Sequence, residues 1–272
     1  MGVTAGGARV PGAGTRNALS PGRFIVIEGI DGAGTTTLAA RLANALPRGR
    51  LTCEPSNQAL GSWLRRILNS PEGAPPSLKA PETLALLFAA DRYMHLAAEV
   101  EPWLAEGDTV ISDRYLYSSV GYQSYGAAQV AARQAWIKGL QPWARPPDLT
   151  LLVLVSPQTA QTRRETRGAV RGLLEDEDRQ TWLADYYREL PRLFPDHSFA
   201  CLNGEASPDE VFAAALAVIA NHLGLTLPSA EAPTACRDES ASGARLEPPC
   251  ITRTPQPPQR PTADRPTGPG QS

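Results

Sequence analysis

The sequence predicts an α/β fold in which a parallel sheet of about five strands carries helices on both faces. Short apolar runs rich in branched side chains alternate along the chain with longer segments whose apolar residues recur at helical spacing. A glycine-containing loop also joins the first apolar run directly to the first helical segment. Ligands of such sheets bind at the carboxyl ends of the strands, so we expect functional side chains on the loops that leave those ends.

Five apolar runs are the predicted strands, and the stretches between them have helical patterns. The runs cover residues 24–27, 50–53, 109–112, 149–155 and 199–203. The fourth run is the most apolar of the chain, which is typical of a central strand that is buried on both faces.

Helices are predicted after each strand from the spacing of the apolar residues. The first begins near residue 38, and the others cover residues 60–68, 84–104, 117–125, 127–140, 182–190 and 208–223. Ser207 and Pro208 are typical of a helix start, with the serine as N-cap and the proline at the first helical position. A stretch rich in proline and glycine at residues 71–76 is the predicted linker between two helices.

Composition confines the predicted fold to residues 22–227. Residues 1–21 are rich in Gly, Ala, Pro and Thr, and residues 228–272 are rich in Pro, Ser, Thr and Arg. Because neither segment has apolar periodicity, we predict that both are disordered extensions, the second of them proline-rich. The stretch between them has the usual size of a single domain.

Charge and cysteine usage argue against several classes of protein. A net charge of −2 gives no electrostatic reason to expect binding to nucleic acid or to a membrane surface. The four cysteines form no C-x-x-C pair, which argues against a zinc site or a disulfide framework and suits a reducing compartment. Because no apolar run is long enough to span a bilayer, we predict a soluble cytoplasmic protein.

The loop after the first strand matches the phosphate-binding pattern G-x-x-x-x-G-K-[ST] at all of its fixed positions but one. Gly29 and Gly34 occupy the glycine positions, and Thr36 supplies the hydroxyl that would hold Mg²⁺. The backbone N–H groups of this loop and the following helix N-terminus would cradle phosphate oxygens. The position of the lysine is taken by Thr35, so the missing residue is the charged one.

Later motifs make a family resemblance specific. The chain resembles the thymidylate kinase family of P-loop nucleoside monophosphate kinases over residues 24–223, and an arginine-bearing segment at residues 162–179 lies in the position of the family's lid. The matching motifs are residues 28–37 (E-G-x-[DE]-G-x-G-K-[ST]-T, except at position 35), 54–65 (similar to E-P-x-G-x-x-x-G-x-x-[IL]-R), 86–92 (nearly L-L-F-x-A-x-R) and 113–123 (similar to D-R-[YH]-x-x-S-x-x-A-Y-Q).

The resemblance implies a P-loop NTPase-type three-layer fold with an arginine-rich lid, and transfer of the γ-phosphoryl group of ATP to dTMP to give dTDP. Mg²⁺ would accompany ATP, with Thr36 as its protein ligand. Such a transfer needs mostly positioning and charge neutralisation, for which the planar fork of arginine is suited. The ATP-binding residues that the resemblance implies are Gly29, Ile30, Asp31, Gly32, Ala33, Gly34, Thr35, Thr36 and Thr37.

The resemblance also assigns a dTMP site. Arg65 and Arg114 would hold the 5′-phosphate, with Arg114 close to the transferred group. Phe88 would stack on thymine, and Arg92, one helical turn away, would reach the carbonyl edge of the base. The remaining residues assigned to the sugar, the base or the vicinity of the metal are Asp31, Glu54, Ser118, Ser119, Tyr122 and Gln123. Tyr122 would crowd a 2′-hydroxyl and so favour deoxynucleotides.

The residues alone leave alternatives for three of these assignments. Arg65 fits a solvated charge on an amphipathic helix, Phe88 fits a core position, and Asp31 fits a helix cap.

The lid segment carries four arginines, namely Arg163, Arg164, Arg167 and Arg171. Family members with only small residues in the phosphate loop tend to carry a catalytic arginine in the lid, and this loop has Gly32 and Ala33. The residues assigned to catalysis are Arg114, Arg163, Arg167 and Asp31. The alternative for each lid arginine is an exposed charged helix in which it pairs with Glu165, Glu175 or Glu177.

Thr35 leaves three interpretations open. In the first, an arginine of the lid, or Arg114, supplies the missing charge. In the second, the chain binds nucleotides without efficient transfer. In the third, the sequence contains an error at this position. We favour the active enzyme because the acceptor-side residues and the arginine-rich lid are all present. A kinase for another nucleoside monophosphate is a further alternative, and a homodimer is implied by the resemblance.

Overall fold

The computed structural model describes residues 21–69, 75–167 and 176–224. The predicted linker up to residue 74, Arg171, Glu175 and nearly all of the two predicted extensions lie outside these residues. Within the described residues, strands and helices alternate in the predicted order.

The bounds of the elements agree closely with the sequence patterns. The strands β1 to β5 are Arg23–Glu28, Gly49–Cys53, Thr109–Asp113, Leu149–Leu154 and Phe199–Asn203. The helices α1 to α10 are Thr35–Ala45, Ala59–Asn69, Pro76–Lys79, Pro81–His95, Glu101–Ala105, Leu116–Tyr122, Val130–Gly139, Pro157–Thr166, Glu177–Leu193 and Pro208–Leu223.

The five strands form one parallel sheet in the order β2-β3-β1-β4-β5. The first strand is therefore in the middle, and Ile27 of β1 lies opposite Asp113 of β3 and Leu151 of β4. This register brings the loops that follow β1 and β3 to adjacent places at the carboxyl end of the sheet. The sheet confirms the predicted fold class.

The central strands are buried on both faces. Consecutive side chains of a strand point to opposite faces, and every residue of β3 and all but the first of β1 are buried. Helices α1 and α10 contact each other and strands of the sheet, while α9 contacts β4 and also packs on α6. Burial on both faces explains why these strands are continuous apolar runs in the sequence.

Several local features differ from the sequence patterns, among them helix α8, Pro157–Thr166, which none of the predicted helices covers. The helix predicted at residues 84–104 contains a π-helical turn, Leu96–Val100, between α4 and α5. A short helix, Pro76–Lys79, begins at the end of the predicted linker. The helix predicted at residues 117–125 ends at Tyr122. The apolar residues on either side of the π-helical turn keep helical spacing, so periodicity over short windows predicts one continuous helix.

Candidate active site

The phosphate loop turns sharply between β1 and α1. Gly32 and Gly34 both have φ of 97°, a left-handed conformation that favours glycine, and Gly34 is the N-cap of α1. A Cβ at Gly32 would collide with the carbonyl oxygen of Ala160, so the loop lies directly against α8, called the lid helix below because it overlaps the predicted lid segment. Because Gly34 caps the helix, the alternative of a helix cap for Asp31 is wrong.

Thr36 and Asp113 form a pair of oxygen donors where α1 begins and β3 ends. The Thr36 hydroxyl donates to Asp113 Oδ2 over 2.5 Å. Asp113 Oδ1 is buried and has no hydrogen-bond partner among the described residues. Carboxylate and hydroxyl oxygens with an unsatisfied acceptor fit Mg²⁺, which binds through one or two protein oxygens together with substrate phosphates. Asp113 was not among the site residues predicted from the sequence, although it begins one of the motifs.

Arg114 is held in the site by a set of acceptors from several elements. Its φ of 75° is unusual for a residue with a side chain. The Nη1 nitrogen donates to the carbonyl oxygen of Gly29 and to the hydroxyl of Tyr187, the latter over 2.9 Å. The Nη2 nitrogen donates to Asp31 Oδ1 over 2.7 Å. The sparse backbone conformation and the convergent bonds are typical of a functional position.

Asp31 accepts hydrogen bonds from four different elements of the fold or the turns beside them. Besides Arg114, its carboxylate accepts hydrogen bonds from the Tyr122 hydroxyl at 2.7 Å and from Gln180 Nε2 at 2.9 Å. Its carbonyl oxygen accepts a hydrogen bond from Arg164 of α8. The lid helix, the phosphate loop and α6 are thus connected through one residue.

Glu28 is a buried carboxyl group beneath this cluster, and the sequence analysis gave it no role. It accepts hydrogen bonds from the backbone N–H of Tyr115 at 2.9 Å and from the hydroxyls of Ser118 at 2.6 Å and Tyr187 at 3.0 Å. Burial raises the pKa of Glu28 to about 7, against the opposing effects of Arg114, Ser118, Tyr187 and the Tyr115 N–H. A charged residue at the end of an apolar strand was the signal that the sequence offered.

The predicted base-binding residues lie on α4 and α6. Arg92 is 1% exposed and donates to Glu54 Oε2 from Nε at 2.8 Å and from Nη2 at 2.6 Å. Its Nη2 nitrogen also donates to the Ser119 hydroxyl at 2.9 Å, which connects α4 to α6. Phe88 is buried with Leu64 and Leu84, so it has the packing of a core residue in this structure.

The remaining acceptor-side residues flank these groups. Arg65 is half-buried and donates to the carbonyl oxygen of Pro55 and to Asn57 Oδ1, the latter over 2.9 Å. The structure therefore does not place it as a fully solvated charge. Gln123 is buried, and its Oε1 oxygen has no hydrogen-bond partner among the described residues, so an acceptor is available there.

Two pockets meet at the phosphate loop. A pocket of about 240 Å³ is lined by Asp31, Gly32, Gly34, Thr35, Thr36, Thr37, Arg114, Arg164 and Arg167. A larger pocket of about 410 Å³ lies between α1, α8 and the segment that leads into α10. Gly32, Gly34, Thr37 and Arg167 line both pockets, and Arg163 lines the larger one.

The sheet order, the phosphate loop and the arginine-lined pocket define a P-loop phosphotransferase. The chain belongs to the thymidylate kinase family, because the family model described as Thymidylate kinase matches residues 27–214. Members of this family are nucleoside monophosphate kinases, and the chain is an enzyme of this class. The resemblance noted in the sequence is thereby confirmed.

Individual relatives agree with this assignment. A thymidylate kinase of Prochlorococcus marinus (strain MIT 9303) is 34% identical over 214 residues, which cover 75% of this chain and 96% of that protein. A thymidylate kinase of Synechococcus sp. (strain RCC307) is 42% identical over 154 residues, which cover 53% of this chain and 71% of that protein. The solved thymidylate kinase structure from Candida albicans superposes with a TM-score of 0.64 at 22% identity, over 75% of this chain and 93% of that one, which confirms the fold.

No helix in the described part of the chain is long and apolar enough to cross a membrane.

Proposed function

We propose that this chain transfers the γ-phosphoryl group of ATP to dTMP, giving dTDP, and that an arginine of the lid replaces the lysine of the phosphate loop. The observation that carries the proposal is the pocket of about 240 Å³, in which the phosphate loop faces three arginines, Arg114, Arg164 and Arg167. A site with this charge suits the meeting of two phosphorylated substrates, because phosphoryl transfer depends on positioning and charge neutralisation.

ATP would lie across both pockets. The apolar side chains of Leu38, Ala206 and Val211 line the larger pocket and suit an adenine ring. The triphosphate would then pass along the loop into the smaller pocket, where the N-terminus of α1 faces it. Residues 29–37 are the proposed ATP-binding segment.

Mg²⁺ would be held by Thr36 and Asp113 together with the phosphates, and it would supply positive charge that neutralises them during transfer. No group of three or more His, Cys, Asp or Glu side chains in the described residues could hold a metal ion.

On the acceptor side, Arg65 and Arg114 are the proposed ligands of the 5′-phosphate. The hydrogen bond between Tyr122 and Asp31 (2.7 Å) supports a place for both at the deoxyribose. The bond from Arg92 to Ser119 (2.9 Å) supports a base pocket between α4 and α6. Phe88, Glu54, Ser118 and Gln123 complete the proposed site.

The lost lysine is best replaced by Arg167. Arg114 is already bonded to Asp31 and Gly29, and Arg164 is bonded to the carbonyl oxygen of Asp31. Within the described residues, the Arg167 side chain makes one hydrogen bond, from Nε to the carbonyl oxygen of Arg163 at 3.3 Å. Its two terminal nitrogens can therefore turn to a phosphate in the pocket that it lines together with Thr35.

Replacement of Arg167 by alanine is expected to lower kcat by about 10²-fold, because one preorganised charged donor is lost from the transferred group. Thr35→Lys in the same chain should restore most of that loss, since the new ammonium group occupies the usual place of the charge. Steady-state rates of the two single variants and the double variant would be compared. Arg188→Ala is the matched control, because Arg188 pairs with Asp185 on an exposed face of α9.

If Arg167→Ala lowers kcat by the same factor in the wild-type chain and in the Thr35→Lys chain, Arg167 does not replace the lysine. The same conclusion follows if the rate of Arg167→Ala is within about threefold of wild type, roughly 0.65 kcal/mol of barrier.

The activity itself is tested by ADP formation from ATP and Mg²⁺ with dTMP, dUMP, dCMP or AMP as the acceptor. We expect the highest kcat/KM with dTMP, in keeping with the family, and the lowest with AMP, because Tyr122 and Asp31 are the residues proposed to crowd a 2′-hydroxyl. Binding of ATP and dTMP without dTMP-dependent ADP formation would overturn the proposal, and so would a preference for AMP.

A homodimer in the cytoplasm is the proposed state of the protein, with ATP and dTMP as its other partners and neither nucleic acid nor a membrane among them. Four large apolar side chains on α4, on α7 and just after α7 support a second copy as a partner. They are Leu86, Met94, Trp136 and Trp143, with exposed fractions of 52%, 46%, 39% and 84%.

A further inference from the structure

A buried histidine lies behind the proposed base pocket, at the point where α4 changes into the π-helical turn. His95 is fully buried, and its two ring nitrogens face different carboxylates. The Nδ1 nitrogen lies 3.4 Å from Glu54 Oε1, and the Nε2 nitrogen lies 3.5 Å from Glu99 Oε2. No step of the proposed reaction uses this residue.

The contacts around His95 suit a ring that carries protons on both nitrogens. Nδ1 faces the carboxylate of Glu54, which only accepts, so Nδ1 is a donor. Nε2 lies 2.6 Å from the Thr52 hydroxyl oxygen and 3.5 Å from Glu99 Oε2. The Thr52 hydroxyl also lies 3.0 Å from Glu99 Oε2, to which it can donate its single proton. With that bond, Nε2 donates to the Thr52 oxygen, and the ring is an imidazolium cation between two carboxylates.

This cation belongs to a buried row of alternating charges. Arg92, Glu54, His95 and Glu99 follow one another, and each contact joins groups of opposite sign. Glu54 stands between the two cations, with Oε2 bound to Arg92 and Oε1 facing His95. Without the imidazolium, Glu54 would have Arg92 as its one cationic partner in the described residues and could rotate towards it. Arg92 is also bonded to Gln141 and Ser119, so His95 would act on Arg92 through the orientation of the Glu54 carboxylate.

The π-helical turn places the outer end of this row. It begins directly after His95, and Glu99 lies within it. Glu99 accepts a second hydrogen bond from Gln58 Nε2 at 2.7 Å, so its carboxylate is anchored to the segment before α2. Isolated π-turns in helices occur frequently at functional sites.

We propose that His95, as an imidazolium cation, is a positioning residue for the acceptor nucleotide: it holds Glu54, and through it Arg92, in the orientation that receives the base. The inference rests on the proposed function, since it assigns Arg92 to the thymine edge. His95 itself does not touch the substrate.

The surroundings of His95 keep it charged at neutral pH. Burial alone would lower the pKa of His95, but the hydrogen bonds and charges of Glu54 and Glu99 outweigh burial and raise the pKa to about 9. These two carboxylates are the titratable groups that face the ring, and Arg92 lies beyond Glu54. Because the folded pKa lies above the ordinary value of 6.5, the stability that the cation contributes is fully present below pH 6.5. It is lost as the pH rises through 9.

The test replaces His95 with glutamine, which can form hydrogen bonds but cannot carry the charge. Equilibrium dissociation constants for dTMP and for ATP would be measured by calorimetry on the full chain, which needs no turnover. We expect the constant for dTMP to rise about tenfold, within the range of coupling between residues of one network, and the constant for ATP to stay within twofold. His222→Gln, on the exposed end of α10, is the matched control.

A double-variant cycle separates positioning from a general structural role. If His95 acts through Arg92, the dissociation constant for dTMP in the double variant should be less than twofold above that of Arg92→Met alone. Full additivity of the two effects would overturn the proposal, and so would equal losses of ATP and dTMP affinity in His95→Gln. A second readout is the difference in unfolding free energy between the wild type and His95→Gln, measured against pH. A difference that stays constant from pH 6.5 to 10 would overturn the assigned charge of His95.

Glu99→Gln covers the case in which His95→Gln does not fold. The variant keeps the hydrogen-bonding shape at the outer end of the row but removes one carboxylate that stabilises the cation. We expect a smaller rise in the dTMP constant, with ATP binding unchanged. The proposal would be overturned if Glu99→Gln is folded and its His95 no longer titrates near pH 9, but its dissociation constant for dTMP is unchanged. If the wild type binds dTMP but does not phosphorylate it, the proposed function fails while this test remains decisive.

Discussion

Replacement of Arg114 by methionine is expected to lower kcat/KM for dTMP by about 10³-fold, because it removes a fixed positive charge from the place where the two phosphates meet. Methionine retains much of the length of the arginine side chain but none of its donors. Arg114 lines the phosphate pocket and is bonded to Asp31, Gly29 and Tyr187. The loss should appear in kcat as well as in KM, since the same charge serves the bound substrate and the transition state.

The control for this substitution addresses the stability of the site. Arg114 also lies 4.0 Å from Glu28, whose pKa would rise further without the nearby positive charge. Thermal denaturation must therefore show that Arg114→Met is folded at the assay temperature. Arg188→Met, on the exposed face of α9, should leave kcat/KM unchanged. A folded Arg114→Met protein with kcat/KM within tenfold of wild type would remove Arg114 from the catalytic residues.

The sheet could be predicted from the sequence because its strands are buried on both faces. Continuous apolar runs and the loops after them have one simple interpretation in an α/β fold, and the structure confirms it at all five strands. The π-helical turn after His95 could not be predicted in this way. His95, just before the turn, and Glu99, within it, both contact Thr52. Thr52 lies more than 40 positions earlier in the sequence, so local spacing carries no sign of these contacts.

The candidate site was only partly accessible to sequence reasoning. Motif spacing placed Asp31, Arg114 and Tyr122 in one site, and the structure brings these three together. Their roles toward substrates stay predictions. Glu28 and Asp113 each begin one of the matching motifs, but neither was assigned a role, because a carboxyl group at the end of an apolar strand does not by itself indicate one. Only the parallel register, with Ile27 opposite Asp113, places these carboxyl groups at the phosphate loop.

Arg92 shows a second limit of the sequence. Helical spacing correctly puts Phe88 and Arg92 on neighbouring turns of α4. Spacing does not reveal that Glu54, 38 positions earlier, forms a buried ion pair with the arginine at 2.6 Å. An ion pair of this kind costs desolvation unless its geometry is well supported. The support comes from Ser119 and Gln141, which bind Arg92, and from His95, which faces Glu54.

Asp113→Asn is expected to raise the Mg²⁺ concentration needed for half-maximal rate by about 10–100-fold and to lower the rate at saturating Mg²⁺. Asparagine keeps an acceptor for the Thr36 hydroxyl, so the local hydrogen bond is preserved while the negative charge is lost. The measurement is the initial rate against Mg²⁺ at fixed ATP and saturating dTMP. Asp185→Asn, at an aspartate whose side chain is 78% exposed, is the matched control.

The outcome distinguishes two roles for the buried Asp113 oxygen that lacks a partner in the described residues. If the carboxylate helps to hold the ion, excess Mg²⁺ should recover part of the activity of Asp113→Asn. If it serves only to orient Thr36, the asparagine variant should follow the wild-type dependence on Mg²⁺ throughout. That second result would leave Thr36 as the one proposed protein ligand. The charge in the phosphate pocket would then come from its arginines, and the demands on Arg114 and Arg167 would be correspondingly larger.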